Sequence, residues 1–282
     1  MDMKKGINFW AFEDGISAAE AFALAKDAGF DGVELTLAEN DGPVTLSTTE
    51  EECRKLAAEA KAAGVELYSL ATGLYWSYSL TSDDEAQREK AKCIVKKQLQ
   101  LAAWLGCRWI LVVPGAVSVS FAPDLGVVPY ETVYNRSLAA LKELAPEAER
   151  LGVTLGVENV WNGFLLSPLE MRRFLDEIGS PNVKSFFDVG NVLKFSYPEH
   201  WIAALGSRIA IVHFKDFKKD AENLSGFVDL LAGDVNYPAV MDALKAVGYD
   251  GWVTAEMVPP YKYYPRTLIY NTSRAMDAIL GR

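Results

Sequence analysis

A strand-like apolar run followed by a helical pattern recurs eight times in this chain, and no other feature restricts its fold as much. The strand runs are KKGINFWAF, DGVELTLA, VELYSLATG, RWILVVPG, VTLGVEN, VKSFFDV, RIAIVHF and GWVTAEM. They read as near-continuous apolar sequence, as parallel strands covered on both faces do. The segments between them place apolar residues three or four apart, with Leu138, Leu141 and Leu144 at the three-residue step. Glycines end the helical patterns at Gly29, Gly64, Gly106, Gly152, Gly179, Gly206 and Gly248, where a left-handed residue closes the last turn. Capping signals open them: Ser17 with Glu20 three residues on, Ser47 ahead of TTEEE, and Ser167-Pro168 ahead of LEM. Eight units in 282 residues predict α/β architecture, a single (β/α)8 barrel with one domain spanning 1–282; such barrels typically take about 250 residues. A doubly wound open sheet would carry a GxGxxG turn after its first strand, and none is there.

Half of the residues are hydrophobic, which allows a sizeable core and argues against disorder. The formal charge of −10 argues against general affinity for nucleic acid or an anionic membrane, since phosphate-backbone binding needs clustered Lys and Arg. A small anionic substrate needs only a local cation. No apolar h-region follows MDMKKG, and no run approaches the ~20 apolar residues that span a bilayer. Cys53, Cys93 and Cys107 are odd in number and not in CxxC pairs, so they read as reduced thiols of a cytoplasmic protein. Two long loops, GLYWSYSLTSDD after the third strand and KDFKKDAENLSGFVDLLAGDVN after the seventh, belong on the rim where strand C-termini gather.

Four consecutive strand runs end in side chains able to hold one metal ion: Glu158 in GVEN, Asp188 in SFFDVGN, His213 in AIVHFKD and Glu256 in VTAEM. In a parallel barrel all strand C-termini open on one rim, so these four are expected to converge. A carboxylate ending an apolar run is costly to bury unless it is paired or metal-bound. Each residue also has a plainer reading: a salt-bridged Glu, a loop-capping Asp, a satisfied core His or a rim ion pair. Their joint placement on strands five to eight favours the metal. Three carboxylates and one imidazole suit one divalent cation, with Mn²⁺ favoured and Co²⁺, Mg²⁺ or Zn²⁺ as alternatives. Bound to adjacent hydroxyl and carbonyl oxygens, such a cation acidifies the intervening C–H by stabilising an enediolate. Glu158 and Glu256, three strands apart around the ring, are then placed as a catalytic acid/base pair. Carboxylates on opposite faces of the substrate would epimerise the centre, whereas protonation of the neighbouring carbon would interconvert aldose and ketose. The other histidine, His200 in YPEHWIAAL, is expected on the outer helical ring.

These segments resemble the xylose-isomerase-like TIM-barrel superfamily, in its sugar-phosphate isomerase and epimerase branch, and most of all the ketose and ketose-phosphate 3-epimerases. The resemblance rests on GVEL, VENVWNGFLLSPLEMRRFLDEIGSPNV, FFDVGNVL, VHFKDF and YDGWVTAEM, and is densest from Gly152 to Glu256. It implies metal ligation by Glu158, Asp188, His213 and Glu256, proton transfer by Glu158 and Glu256, a sugar or sugar-phosphate substrate, and a homo-oligomer. Free-ketose epimerases usually carry a histidine three residues after the strand-six Asp; this chain has Asn191 there, and its DVGN looks more like the phosphate-ketose branch. They also carry an arginine a few residues past the strand-seven His, where this chain offers Lys215, Lys218 and Lys219. Lys215 is expected either to touch a substrate oxygen or phosphate or to pair with Asp216.

Glu34, read at the end of the second strand, is expected to bond a sugar hydroxyl or to brace the barrel. Trp10, Trp76 and Trp161 offer faces to sugar C–H groups or pack at the rim. Asn8 and Asn159 are candidates to orient carboxylates. The superfamily's nuclease branch, with three zinc ions and many histidines, fits poorly with two histidines and a charge of −10. An aldose–ketose isomerase, an inositol-pathway dehydratase or isomerase, and a polyol-binding barrel without turnover are the alternatives on this scaffold.

Overall fold

The computed structural model describes residues 3–221 and 223–282. Met1 and Asp2, at the head of MDMKKG, and Glu222, within the long loop after the seventh strand run, lie outside the described residues. Each of the eight strand runs forms a barrel strand: β1 (Lys4–Asn8), β2 (Gly32–Ala38), β3 (Glu66–Thr72), β4 (Trp109–Val112), β5 (Thr154–Glu158), β6 (Val183–Asp188), β7 (Ile209–Phe214) and β8 (Trp252–Ala255). Successive strands pair in parallel, and β8 pairs back onto β1, so the barrel closes. The outer layer is α1 (Ala18–Asp27), α2 (Glu50–Ala63), α3 (Glu85–Leu105), α4 (Tyr130–Leu151), α5 (Pro168–Ile178), α6 (Pro198–Leu205), α7 (Tyr237–Ala246) and α8 (Pro265–Leu280). The fold is a (β/α)8 barrel. Among the described residues no helix is long and apolar enough to cross a membrane.

Local signals explain most of the boundaries. Ser17 and Glu20 form the expected capping box at α1. At α2 the cap is Thr49, not Ser47: Thr49 has Glu52 at the third helical position and so completes a capping box, while Ser47 bonds the Thr45 hydroxyl instead. Gly64, Gly106, Gly152 and Gly179 close their helices in the left-handed conformation. Gly206 does not, with φ 54° and ψ −128°, because a short 3₁₀ turn, Gly206–Arg208, leads directly into β7.

The barrel interior is filled rather than hollow. Gly6 lies beside Thr254 in register, and Tyr68 occupies the space that a Cβ at residue 6 would need. The Tyr68 hydroxyl sits 2.8 Å from Thr254 Oγ1, and its ring stacks on Trp252 at 3.7 Å. This plug leaves the opposite, C-terminal end of the barrel for a site. There the loop after β7 is shaped by a two-stranded antiparallel ribbon, Asp216–Phe217 with Phe227–Val228. Cys53 and Cys107 are buried and Cys93 is exposed, all as free thiols.

Candidate active site

Side chains alternate across a strand, so residues that are opposite or two apart share a face. Pairing places Glu158 beside Phe186, Asp188 beside His213, and His213 beside Thr254. Asp188 is two residues past Phe186, and Glu256 is two past Thr254. The register therefore delivers all four candidate ligands to the inner face of the C-terminal rim. All four are buried, and one ligand atom from each lies within 4.8 Å of the others.

The histidine is oriented from beneath. Its Nε2 lies 2.7 Å from Glu34 Oε1, and Asn8 Nδ2 donates to the same oxygen at 2.6 Å. An ionised carboxylate only accepts, so Nε2 carries the proton and Nδ1 faces the other three ligands. Nδ1 is 2.7 Å from Glu256 Oε2 and 4.0 Å from Asp188 Oδ2. His213 Nδ1, Asp188 Oδ2 and Glu256 Oε2 are nevertheless buried without a well-directed hydrogen bond. They converge on a common point beside the Lys215 ammonium, and burying such atoms is costly unless charge satisfies them. The donor set and its geometry fit a divalent cation.

Electrostatics set the two glutamates apart. Burial, followed by the neighbouring Glu256 charge, pushes the Glu158 carboxyl up to about 8. Burial also works to raise Glu256, but the Lys215 ammonium and the His213 ring outweigh it and hold that carboxyl at about 2. The imidazole rises well above its usual value, since Glu34 and Glu256 together outweigh the effect of burial. In the metal-free site one carboxyl of the pair thus keeps its proton at neutral pH while the other is ionised.

Lys215 follows His213 by two residues and points inward with it. Its Nζ lies 2.9 Å from Glu256 Oε2 and 3.3 Å from Asp188 Oδ2. The pairing with Asp216 considered from sequence does not form, because Asp216 has the opposite parity. Its carboxylate instead accepts from the backbone N–H groups of Phe217 (2.9 Å), Leu231 (2.9 Å) and Val235 (3.1 Å), anchoring the β7 loop.

A cavity of about 570 Å³ opens above the cluster, and Glu158, Glu256, Asn191, Lys215, Trp10, Trp76 and Trp161 all line it. Glu34 does not line it: the residue sits in the middle of β2 rather than at its end, below His213. Asn191 Nδ2 approaches Glu158 Oε1 at 3.5 Å and donates to the Asn159 carbonyl at 3.1 Å. Asn159 grips the Asp188 backbone at both ends, N–H at 3.0 Å and C=O at 2.8 Å, rather than its carboxylate. His200 is exposed on α6, as expected for the outer ring. Sequence reasoning missed Phe121, Leu224, Phe227 and Tyr261, which complete the wall from the loops after β4, β7 and β8. Leu224 and Phe227 belong to the long loop expected on the rim, and Tyr261 to the Pro- and Tyr-rich MVPPYKYYP after β8, so the segments were readable although the individual residues were not.

Residues 22–276 match the family described as xylose isomerase-like TIM barrel. The putative L-ribulose-5-phosphate 3-epimerase SgbU of Escherichia coli K12 is 28% identical over 257 residues, covering 89% of this chain and 87% of that protein. L-ribulose-5-phosphate 3-epimerase UlaE of Salmonella typhi is 27% identical over 261 residues, covering 90% and 88%. Among solved structures, an L-ribulose 3-epimerase superposes with a TM-score of 0.82 at 20% identity, over 99% of this chain and 95% of that one. A D-allulose 3-epimerase from Methylomonas sp., in complex with D-allulose, gives 0.78 at 22%, over 100% and 97%. At such identities these superpositions speak for the fold.

Proposed function

The chain belongs to the xylose isomerase-like TIM-barrel family and is an enzyme of the isomerase class, and we propose that it is a divalent-metal-dependent epimerase acting at C3 of a ketose or ketose phosphate. The observation that carries this reading is the meeting of Glu158, Asp188, His213 and Glu256 within 4.8 Å at the floor of the cavity. The two relatives, named as L-ribulose-5-phosphate 3-epimerases, point the same way.

Glu158, Asp188, Glu256 and Nδ1 of His213 would hold the cation, with Mn²⁺ favoured. When bound, a divalent cation there polarises the substrate carbonyl and offsets the negative charge that develops as the adjacent proton leaves. Glu256 would accept that proton on one face of the sugar, and Glu158 would return one on the other face; the roles exchange in the reverse direction. Glu34 fixes the ring of His213, and Asn191 steadies Glu158. Lys215 is the cation of the chain placed to meet a substrate oxygen. Trp10, Trp76 and Trp161 cover the sugar and keep water from the exchanging proton. The same reading makes the protein a one-domain, cytoplasmic homo-oligomer.

The test is incubation of ketoses with protein and Mn²⁺ in D₂O, followed by NMR. The expected result is deuterium at C3 together with the C3 epimer. Deuterium confined to C1 or C2 would identify an aldose–ketose isomerase instead.

A further inference from the structure

We propose that the substrate of this site is an uncharged sugar extended by a second uncharged group, a further ring or an apolar substituent, rather than a sugar phosphate; the proposal rests on the epimerase reading above. A phosphate brings about two negative charges and three acceptor oxygens, which proteins meet with Arg, Lys or the N–H groups of a helix N-terminus. Among the described residues lining the cavity, Lys215 is the one basic side chain, and it stands at the floor between Asp188 and Glu256. The remaining charged lining residues, Glu158, Glu256, Asp216 and Asp229, are acidic.

Lys218, in the loop after β7, does not line the cavity, and three further loop lysines stand over other rings. Lys219 stands over the Tyr197 ring at 4.8 Å and Lys262 over Tyr263 at 5.5 Å, and neither lines the cavity. Lys194 stands over Trp161 at 5.0 Å and lines a neighbouring cavity instead. The eight outer helices do not replace them with their N-termini. The first turns of α1 to α7 are absent from the lining, α8 contributes Leu268 alone, and the five-residue helix Val189–Leu193 contributes Asn191. The Asn191 N–H, which does face the site, already bonds Asp188 Oδ1 at 2.8 Å.

What the outer part offers is apolar surface. Trp76 meets Phe121 edge to face at 5.1 Å, and Phe227 tilts against Trp161 at 5.2 Å. Val258 and Pro260 continue the wall. Such faces suit the C–H side of a sugar ring or a hydrocarbon group. At about 570 Å³ the cavity is larger than one ring occupies and falls among pockets for drug-sized ligands. The assignment runs against the direction suggested by DVGN at 188–191, a segment of which Asn191 alone lines the cavity and which holds no basic side chain.

The test compares three ligands on the Mn²⁺-loaded protein: a free ketose, its terminal phosphate ester, and a reducing disaccharide with the ketose at its free end and an open C3 hydroxyl. Affinity is measured by calorimetry and C3 exchange separately by NMR in D₂O. The disaccharide is expected to bind at least tenfold tighter than the phosphate ester. Equal affinities, or tighter binding of the ester, overturn the proposal while leaving the epimerase reading untouched if C3 exchange is seen. Preference for the disaccharide without C3 exchange in any ligand supports the proposal and removes the epimerase reading. Leu224→Arg, placing a cation at the mouth, is expected to tighten the phosphate ester at least tenfold; an unchanged affinity would show that the mouth already satisfies the phosphate.

Discussion

His213 and Glu34 face each other at 2.7 Å across the barrel interior, both fully buried, from strands β7 and β2 that are not neighbours in the sheet. The carboxylate fixes which imidazole nitrogen carries the proton and so leaves Nδ1 for a cation. Glu34→Gln keeps the shape and removes the charge. The expected outcome is a loss of about 10–100-fold in Mn²⁺ affinity by calorimetry. Unchanged Mn²⁺ affinity would assign Glu34 to packing alone.

Cation binding is expected to release protons. In the metal-free protein Glu158 is held at about 8, and His213 is raised well above its usual value. Below those values both groups are protonated, and ligation requires both without the proton at the ligating atom. Apparent affinity should therefore weaken as pH falls from 8 to 6, by about a decade per pH unit for each proton released. Titrations in two buffers of different ionisation heat count the protons; a heat independent of buffer would contradict the protonated cluster.

Residue parity explains how far the site could be read from sequence. Glu158, Asp188, His213 and Glu256 each end an apolar run, so their common rim follows from the fold class alone. Lys215 follows His213 by two, and period-two alternation already sends the lysine toward the ligands; Asp216, one further on, borders the cavity but turns its carboxylate to the backbone of the β7 loop. Glu34 was harder. Its strand runs on to Ala38, so the residue lies mid-strand, and its partner His213 is set by cross-barrel packing that no local pattern encodes. Phe121, Leu224 and Tyr261 reach the cavity on loops whose paths depend on distant anchors, such as Asp216 holding Leu231 and Val235.

Glu158→Gln and Glu256→Gln separate chemistry from folding. Gln is close in shape to the protonated Glu158 carboxyl and carries no charge, so the chelated Glu158 variant should unfold at the parent temperature. Turnover in each variant is expected to fall by about 10²–10⁴-fold, the usual contribution of a positioned acid or base. Each is read by C3 deuterium incorporation at saturating substrate and Mn²⁺, with a thermal melt as control. Wild-type rates in either variant would remove that residue from proton transfer.

Lys215 makes the sharpest distinction between the metal-free and loaded states. Its ammonium is the charge that compensates Asp188 and Glu256, at 3.3 and 2.9 Å, when no other cation is present. Removing one partner of a buried ion pair costs about 3–5 kcal/mol, because the other charge is left uncompensated. Lys215→Met keeps the stem and deletes that charge, so the chelated variant should lose stability of this order by urea unfolding. Saturating Mn²⁺ supplies the missing positive charge and should recover most of the loss, giving the variant a larger metal-induced stabilisation than the parent. A deficit that Mn²⁺ leaves unchanged would mean that the lysine stabilises the fold by packing against Phe227, 5.3 Å away, and not by balancing the ligand carboxylates.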